Sequence, residues 1–144
     1  MGVYGNVQED QINEDTNCQP ESFYGITKLA SEHYGRYFCS KGMDITIFRM
    51  FNVYGPGQKS NSPYSAVIPI FINRMLKKLP VIIKGGFQTR DFIYVQDVID
   101  VILISMKKIQ KQKNFQILNL GTGRSVKIDF LFQLIKKKIG VNPK

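Results

Sequence analysis

Apolar positions along this chain fall alternately into helical and strand-like spacing. Tyr24 to Ser40 carries Leu29, Ala30, Tyr34, Tyr37 and Phe38 at helical spacing. Ser22 offers a cap before it, and Gly42 sits just past its end. Asp44 leads into Ile45-Thr46-Ile47-Phe48-Arg49-Met50-Phe51, a continuous run of the kind that fills a buried parallel strand. A loop is expected from Asn52 to Pro63, punctuated by Gly55-Pro56-Gly57. Tyr64 to Lys78 reads as a helix, with Pro69 tolerated in its first turn. Val81-Ile82-Ile83 reads as a short strand closed by Gly85-Gly86, and Asp91 to Val95 as another. Asp97 is expected to cap a helix from Val98 to about Lys108. Phe115 to Leu120 predicts a strand, and Asp129 to Ile139 an amphipathic helix stopped by Gly140.

Strands alternating with helices predict an α/β fold with a parallel sheet. Val3-Tyr4-Gly5 reads as the end of a strand, and Asn6 to Pro20 as a polar loop. A sheet that opens on a strand end and stops after a helix is expected to be a piece of a longer protein.

Composition adds mainly exclusions. The 144 residues suit one domain with a real core, and 43% hydrophobic with 22% charged residues is ordinary for a globular protein. The longest apolar stretch, Val98 to Met106, is broken by Asp100 and falls short of the ~18 residues that cross a bilayer. The first twenty residues are polar and acidic, unlike a signal peptide. Cys18, Cys39 and His33 are too few for a zinc site, and two reduced thiols fit a cytoplasmic chain. Charge is uneven: residues 1–48 hold seven acids and three bases, residues 49–144 seventeen bases and four acids. The lysines are spread over helix faces without interleaved aromatics, so they read as a solvated surface and not as a nucleic-acid platform.

Tyr24-Gly25-Ile26-Thr27-Lys28 places a phenol and an ammonium one helical turn apart, on one face. Such a pair can exchange a proton with a substrate hydroxyl. Alone, the spacing is common and most often marks an exposed neighbour pair. It is followed here by Arg49-Met50-Phe51-Asn52-Val53-Tyr54-Gly55-Pro56-Gly57-Gln58. Then comes Gly85-Gly86-Phe87-Gln88-Thr89-Arg90-Asp91-Phe92-Ile93-Tyr94-Val95-Gln96-Asp97-Val98. These blocks, with Val3-Tyr4-Gly5 and Asn119-Leu120-Gly121-Thr122-Gly123, resemble the extended short-chain dehydrogenase/reductase family. Within it they are most similar to the UDP-glucose and UDP-N-acetylglucosamine 4-epimerases.

The resemblance implies the C-terminal part of a Rossmann-like doubly wound parallel sheet, with part of a small α/β substrate-binding region. Residues 1–60 would be the second half of the NAD-binding domain. Residues 61–144 would be the substrate region interleaved with late Rossmann elements. The implied cofactor is NAD, and the implied substrate is a nucleotide sugar, a UDP-hexose. Tyr24 would be the acid/base, and Lys28 would hold the nicotinamide ribose, with Phe51 beside it. Asn52, Val67, Ile82, Ile83, Lys84 and Arg90 would contact the sugar nucleotide, Arg90 through its diphosphate. Homodimers would form through the helix bearing Tyr24, whose Tyr34, Tyr37 and Phe38 suit either such a face or the core. A 4,6-dehydratase or reductase on the same scaffold is the neighbouring expectation, and a non-catalytic remnant the other.

The family's glycine-rich dinucleotide turn is absent. Gly121-Thr122-Gly123 follows a strand, but Val126 stands at its third glycine position and no acid follows ~20 residues on. About three βα units, roughly 100 residues, are therefore expected upstream. The chain alone is expected to be inactive and to bind NAD far more weakly than a complete enzyme. Micromolar NAD binding in a calorimeter would overturn that expectation.

Overall fold

The computed structural model describes residues 2–7, 11–61, 66–83, 85–109 and 115–140. In chain order the elements are α1 (Phe23–Ser40), β1 (Ile45–Met50), β2 (Asn52–Tyr54), α2 (Val67–Leu76) and β3 (Thr89–Tyr94). They continue with α3 (Val95–Ile109), β4 (Phe115–Leu120), β5 (Ser125–Lys127) and α4 (Ile128–Ile139). The expected α/β class with parallel strand pairing is what the chain adopts. It divides into two compact units, residues 1–51 with 97–120 and residues 52–96 with 121–144.

In the first unit β1 and β4 pair in parallel from Ile45↔Phe115 to Met50↔Leu120, and α1 packs on them. Ser22 caps α1 as expected, its hydroxyl accepting from the Gly25 amide at 3.1 Å. The inward stripe of α1 is Gly25, Leu29, Glu32, Gly35 and Cys39. A Cβ on Gly35 would lie 2.9 Å from Ile47 Cδ1, so a bare α-carbon lets helix and strand approach. Tyr34, Tyr37 and Phe38 point outward and are not core. Gly25, Gly35 and Cys39 let the sheet-facing stripe pack closely, and the large aromatics stay exposed on the other faces. Val3-Tyr4-Gly5 corrects the strand-end expectation. It is a turn, yet Val3 and Tyr4 are among the most buried side chains, 5% and 1% exposed.

In the second unit β3 is central, parallel to β2 and antiparallel to β5. Its core joins Phe71 and Met75 of α2 to Ile128 and Leu131 of α4, and Phe71 meets Phe132 edge to face at 5.7 Å. Pro69 falls in the first turn of α2, as the sequence allows. Three expectations need correction here. Asn52 to Tyr54 forms β2 and not loop, because β3 supplies a parallel partner. Val81 to Ile83 belongs to no strand; Val81 and Ile83 pack on the α2–α4 core without a ladder partner among the described residues. The third helix starts at Val95, directly off β3, so Asp97 lies in its first turn and does not cap it. β5 was not anticipated, since three residues in register with β3 leave no periodic signal.

Gly86 ties the Gly85–Gln88 turn to α4. Its carbonyl accepts from the Asp129 amide at 3.3 Å, and the Gln88 carbonyl accepts from Ile128 at 3.0 Å. Gly86 has φ +65°, and a Cβ there would collide with the Asp129 carboxylate. Gly86→Ala is expected to cost about 1–3 kcal/mol, read as a lower urea midpoint. An unchanged midpoint would show that the turn does not hold this conformation in solution.

Candidate functional site

In the first unit, Tyr24 and Lys28 lie on the first turns of α1. Tyr24 is 67% exposed, and Lys28 Nζ stands 5.2 Å from the centre of its ring. The phenol and the ammonium share one open face, as their spacing requires. Phe51 follows β1 directly and is half-buried, its amide donating to the Leu120 carbonyl at 2.9 Å.

Behind this face lies a buried polar cluster that sequence reasoning missed. Arg49, at the end of β1, donates from Nε and Nη2 to the two carboxylate oxygens of Glu32, at 2.9 and 2.8 Å. Both residues are more than nine-tenths buried. Arg49 Nη1 also donates to the Tyr4 hydroxyl at 2.7 Å and to the Glu14 carbonyl at 3.1 Å. The Tyr4 hydroxyl in turn has Asn119 Oδ1 at 2.7 Å and the Asn13 carbonyl at 2.9 Å as acceptors. The hydrogen bonds to Glu32 raise the Arg49 guanidinium above its ordinary value, so it keeps its proton. Burial raises the Tyr4 phenol, against the lowering effect of Arg49, and burial likewise raises the Cys18 thiol. A signal for the pair does exist in the sequence. Glu32 is a charge on the stripe that Gly25, Leu29 and Gly35 mark as interior, and Arg49 is a charge inside an apolar run.

In the second unit, one cavity of about 290 Å³ collects Asn52, Val67, Ile82, Ile83 and Arg90. Those five were singled out from the sequence as nucleotide contacts; Lys84, the sixth, lies outside the described residues. Val53, Tyr54, Ala66, Ile68, Phe71, Gln88, Phe92 and Ile128 complete the wall. Strand pairing and helix packing bring these together, and no local motif marks them. Asn52 is partly committed, its amide nitrogen donating to the Asp91 carbonyl at 2.9 Å. Arg90 donates to its neighbour Thr89's carbonyl at 2.7 Å.

Asp91, next to Arg90, is committed to the Gly121–Gly123 turn. Its carboxylate accepts from the amides of Thr122 and Gly123, at 2.9 and 2.8 Å, and from the Thr122 hydroxyl at 2.6 Å. Turn amides of that kind make an anion-binding concavity. Here an internal carboxylate fills it, so the Gly121–Gly123 turn is a structural joint and not a phosphate cradle.

These features are those of an α/β protein with an arginine-bearing cavity, and comparison with known proteins makes the assignment narrower. The model of the NAD dependent epimerase/dehydratase family matches residues 1–121, and the chain belongs to that family. A putative UDP-glucose 4-epimerase of Methanocaldococcus jannaschii is 39% identical over 140 residues, covering 96% of this chain and 44% of that protein. The crystal structure of Thermotoga maritima UDP-glucose 4-epimerase with UDP-glucose superposes with a TM-score of 0.90 at 34% identity, covering 99% of this chain and 46% of that one. Human dTDP-D-glucose 4,6-dehydratase is 33% identical over 141 residues, 94% of this chain and 38% of its own length. The Rossmann-like architecture and NAD as the family's cofactor follow. The chain spans about two fifths of the length of these relatives.

Proposed function

We propose that this chain is the acid/base and nucleotide-binding portion of an NAD-dependent nucleotide-sugar 4-epimerase acting on a UDP-hexose. The supporting observation is the convergence of Asn52, Val67, Ile82, Ile83 and Arg90 on one cavity wall. Its apolar side chains suit the flat face of a base, and the Arg90 guanidinium suits diphosphate oxygens. Identity to UDP-glucose 4-epimerases favours uracil over other bases.

Tyr24 and Lys28 fit the ribose end of NAD: a hydroxyl and an ammonium on one open face complement vicinal sugar hydroxyls. When bound, NAD supplies a hydride acceptor and donor. Tyr24 takes the proton from the sugar's 4-hydroxyl and later returns one to the 4-oxygen. Lys28 stabilises negative charge developing on the Tyr24 oxygen, and Phe51 shields the site from water. Exposed Tyr34, Tyr37 and Phe38 support pairing of two copies through α1.

Two measurements test this reading. In the first, the chain is joined to the part of the Methanocaldococcus jannaschii relative that it does not match, and UDP-glucose is followed chromatographically with NAD present. UDP-galactose is the expected product. A 4-keto-6-deoxy sugar would assign dehydration instead, and a folded, NAD-binding graft that makes neither product sinks the reading. In the second, the chain itself is titrated calorimetrically with UDP. Arg90→Ala is expected to weaken binding about ten- to hundredfold, the worth of about 1.5–3 kcal/mol for a hydrogen bond to a charged group. Equal affinities would remove Arg90 from the diphosphate site.

A further inference from the structure

Within the first unit, α1 and the segment around Gly2 to Gly5 touch at two places. At the first, Gly25 lies so near the Gly2 carbonyl that a Cβ would collide with it. The ring of Tyr24 flanks Gly2 there: a Cβ built on Gly2 would stand 3.4 Å from Tyr24 Cδ1. At the second, Arg49 reaches both segments. It forks onto Glu32 of α1 and donates to the hydroxyl of Tyr4, with its guanidinium carbon 4.8 Å from the Tyr4 ring centre.

We propose that Arg49, acting with Glu32, is a positioning residue for Tyr24: it locks the rotation and depth of α1 against the Gly2–Tyr4 segment, and so fixes where the Tyr24 ring stands beside Gly2. The inference deepens the reading of Tyr24 as the acid/base and rests on it for its meaning. Its test is independent of turnover.

Stability does not account for the pair. Well-packed apolar residues of similar volume commonly hold a fold as well as a buried ion pair, or better. What they lack is direction. A planar fork with two parallel N–H···O bonds admits one angle between strand end and helix, whereas apolar surfaces slide. Nη1 adds bonds to both Tyr4 and the Glu14 carbonyl. These side-chain bonds of Arg49 tie β1 to α1 and to the segments facing it. Tyr24 and Glu32 are two helical turns apart on α1, so a rotation released at Glu32 is carried along the rigid helix to Tyr24.

Proton NMR of the chain reads the arrangement directly. The Tyr24 ring current shifts the Gly2 α-protons, and Tyr24→Leu defines that shift by removing it. The double variant Glu32→Leu/Arg49→Met is expected to keep its amide dispersion and its cooperative unfolding while losing most of the Tyr24-dependent shift. Tyr4→Phe removes only the hydroxyl link, and is expected to lose part of it. A folded double variant that keeps the full shift overturns the proposal. So does failure of both variants to fold, which would make the cluster a scaffold only, or a Tyr24→Leu spectrum with Gly2 unmoved. If the shifts behave as expected while the grafted enzyme is inert, the acid/base reading fails and the positioning geometry stands.

Discussion

Tyr24→Phe in the grafted enzyme is expected to lower kcat by about 10²–10⁴-fold while leaving the KM for UDP-glucose little changed. The substitution deletes one oxygen and keeps the ring. The proposed nucleotide contacts, Asn52 and Arg90, line the cavity of the second unit and are left unaltered, so ground-state binding is expected to hold. The step expected to be lost is proton transfer at the 4-hydroxyl. Steady-state kinetics with UDP-glucose and UDP-galactose in both directions checks this. A loss appearing in KM alone would make Tyr24 a binding residue, and unchanged kcat would move the acid/base elsewhere.

Arg49→Met alone is expected to destabilise the chain by about 3–5 kcal/mol, because it leaves the Glu32 carboxylate buried without its partner. A domain holds only about 5–15 kcal/mol in total, so the single variant sits near the edge of folding at room temperature. Adding Glu32→Leu is expected to restore most of that loss, since it removes the orphaned charge and fills its space. Urea unfolding followed by circular dichroism measures both. If the single variant loses less than about 1 kcal/mol, the range typical of exposed pairs, then Glu32 and Arg49 are not desolvated in solution as they are here. The loss arises from one charge left without the other, so the two substitutions are strongly non-additive.

Much of the chain was legible before any coordinates. The Ser22 cap, the helix it starts, the apolar run of β1, the strand from Phe115 to Leu120 and the stop at Gly140 all follow from local rules, and each lies where those rules put it. The Tyr24–Lys28 face was readable for the same reason, since residues four apart on a helix are neighbours whatever the rest of the chain does. The short pieces were not. β2 and β5, three residues each, exist only because β3 lies between them, and Val81 to Ile83 forms no strand because no partner strand among the described residues runs beside it. A ladder is a pairwise property, and a three-residue window has no periodicity to announce it.

Local sequence thus decided which residues became helices and long strands, and that Tyr24 and Lys28 share a face, because those depend on contacts within one or two turns of chain. Distance in sequence decided the rest. Glu32 meets Arg49 across 17 positions, Asp91 meets Thr122 across 31, and Tyr4 meets Asn119 across 115. Only packing can bring such groups together, since hydrogen bonding and desolvation act over a few ångströms and not along the chain. The filling of the Gly121–Gly123 turn by Asp91, and the clamp behind Tyr24, were therefore decided by the folded chain alone.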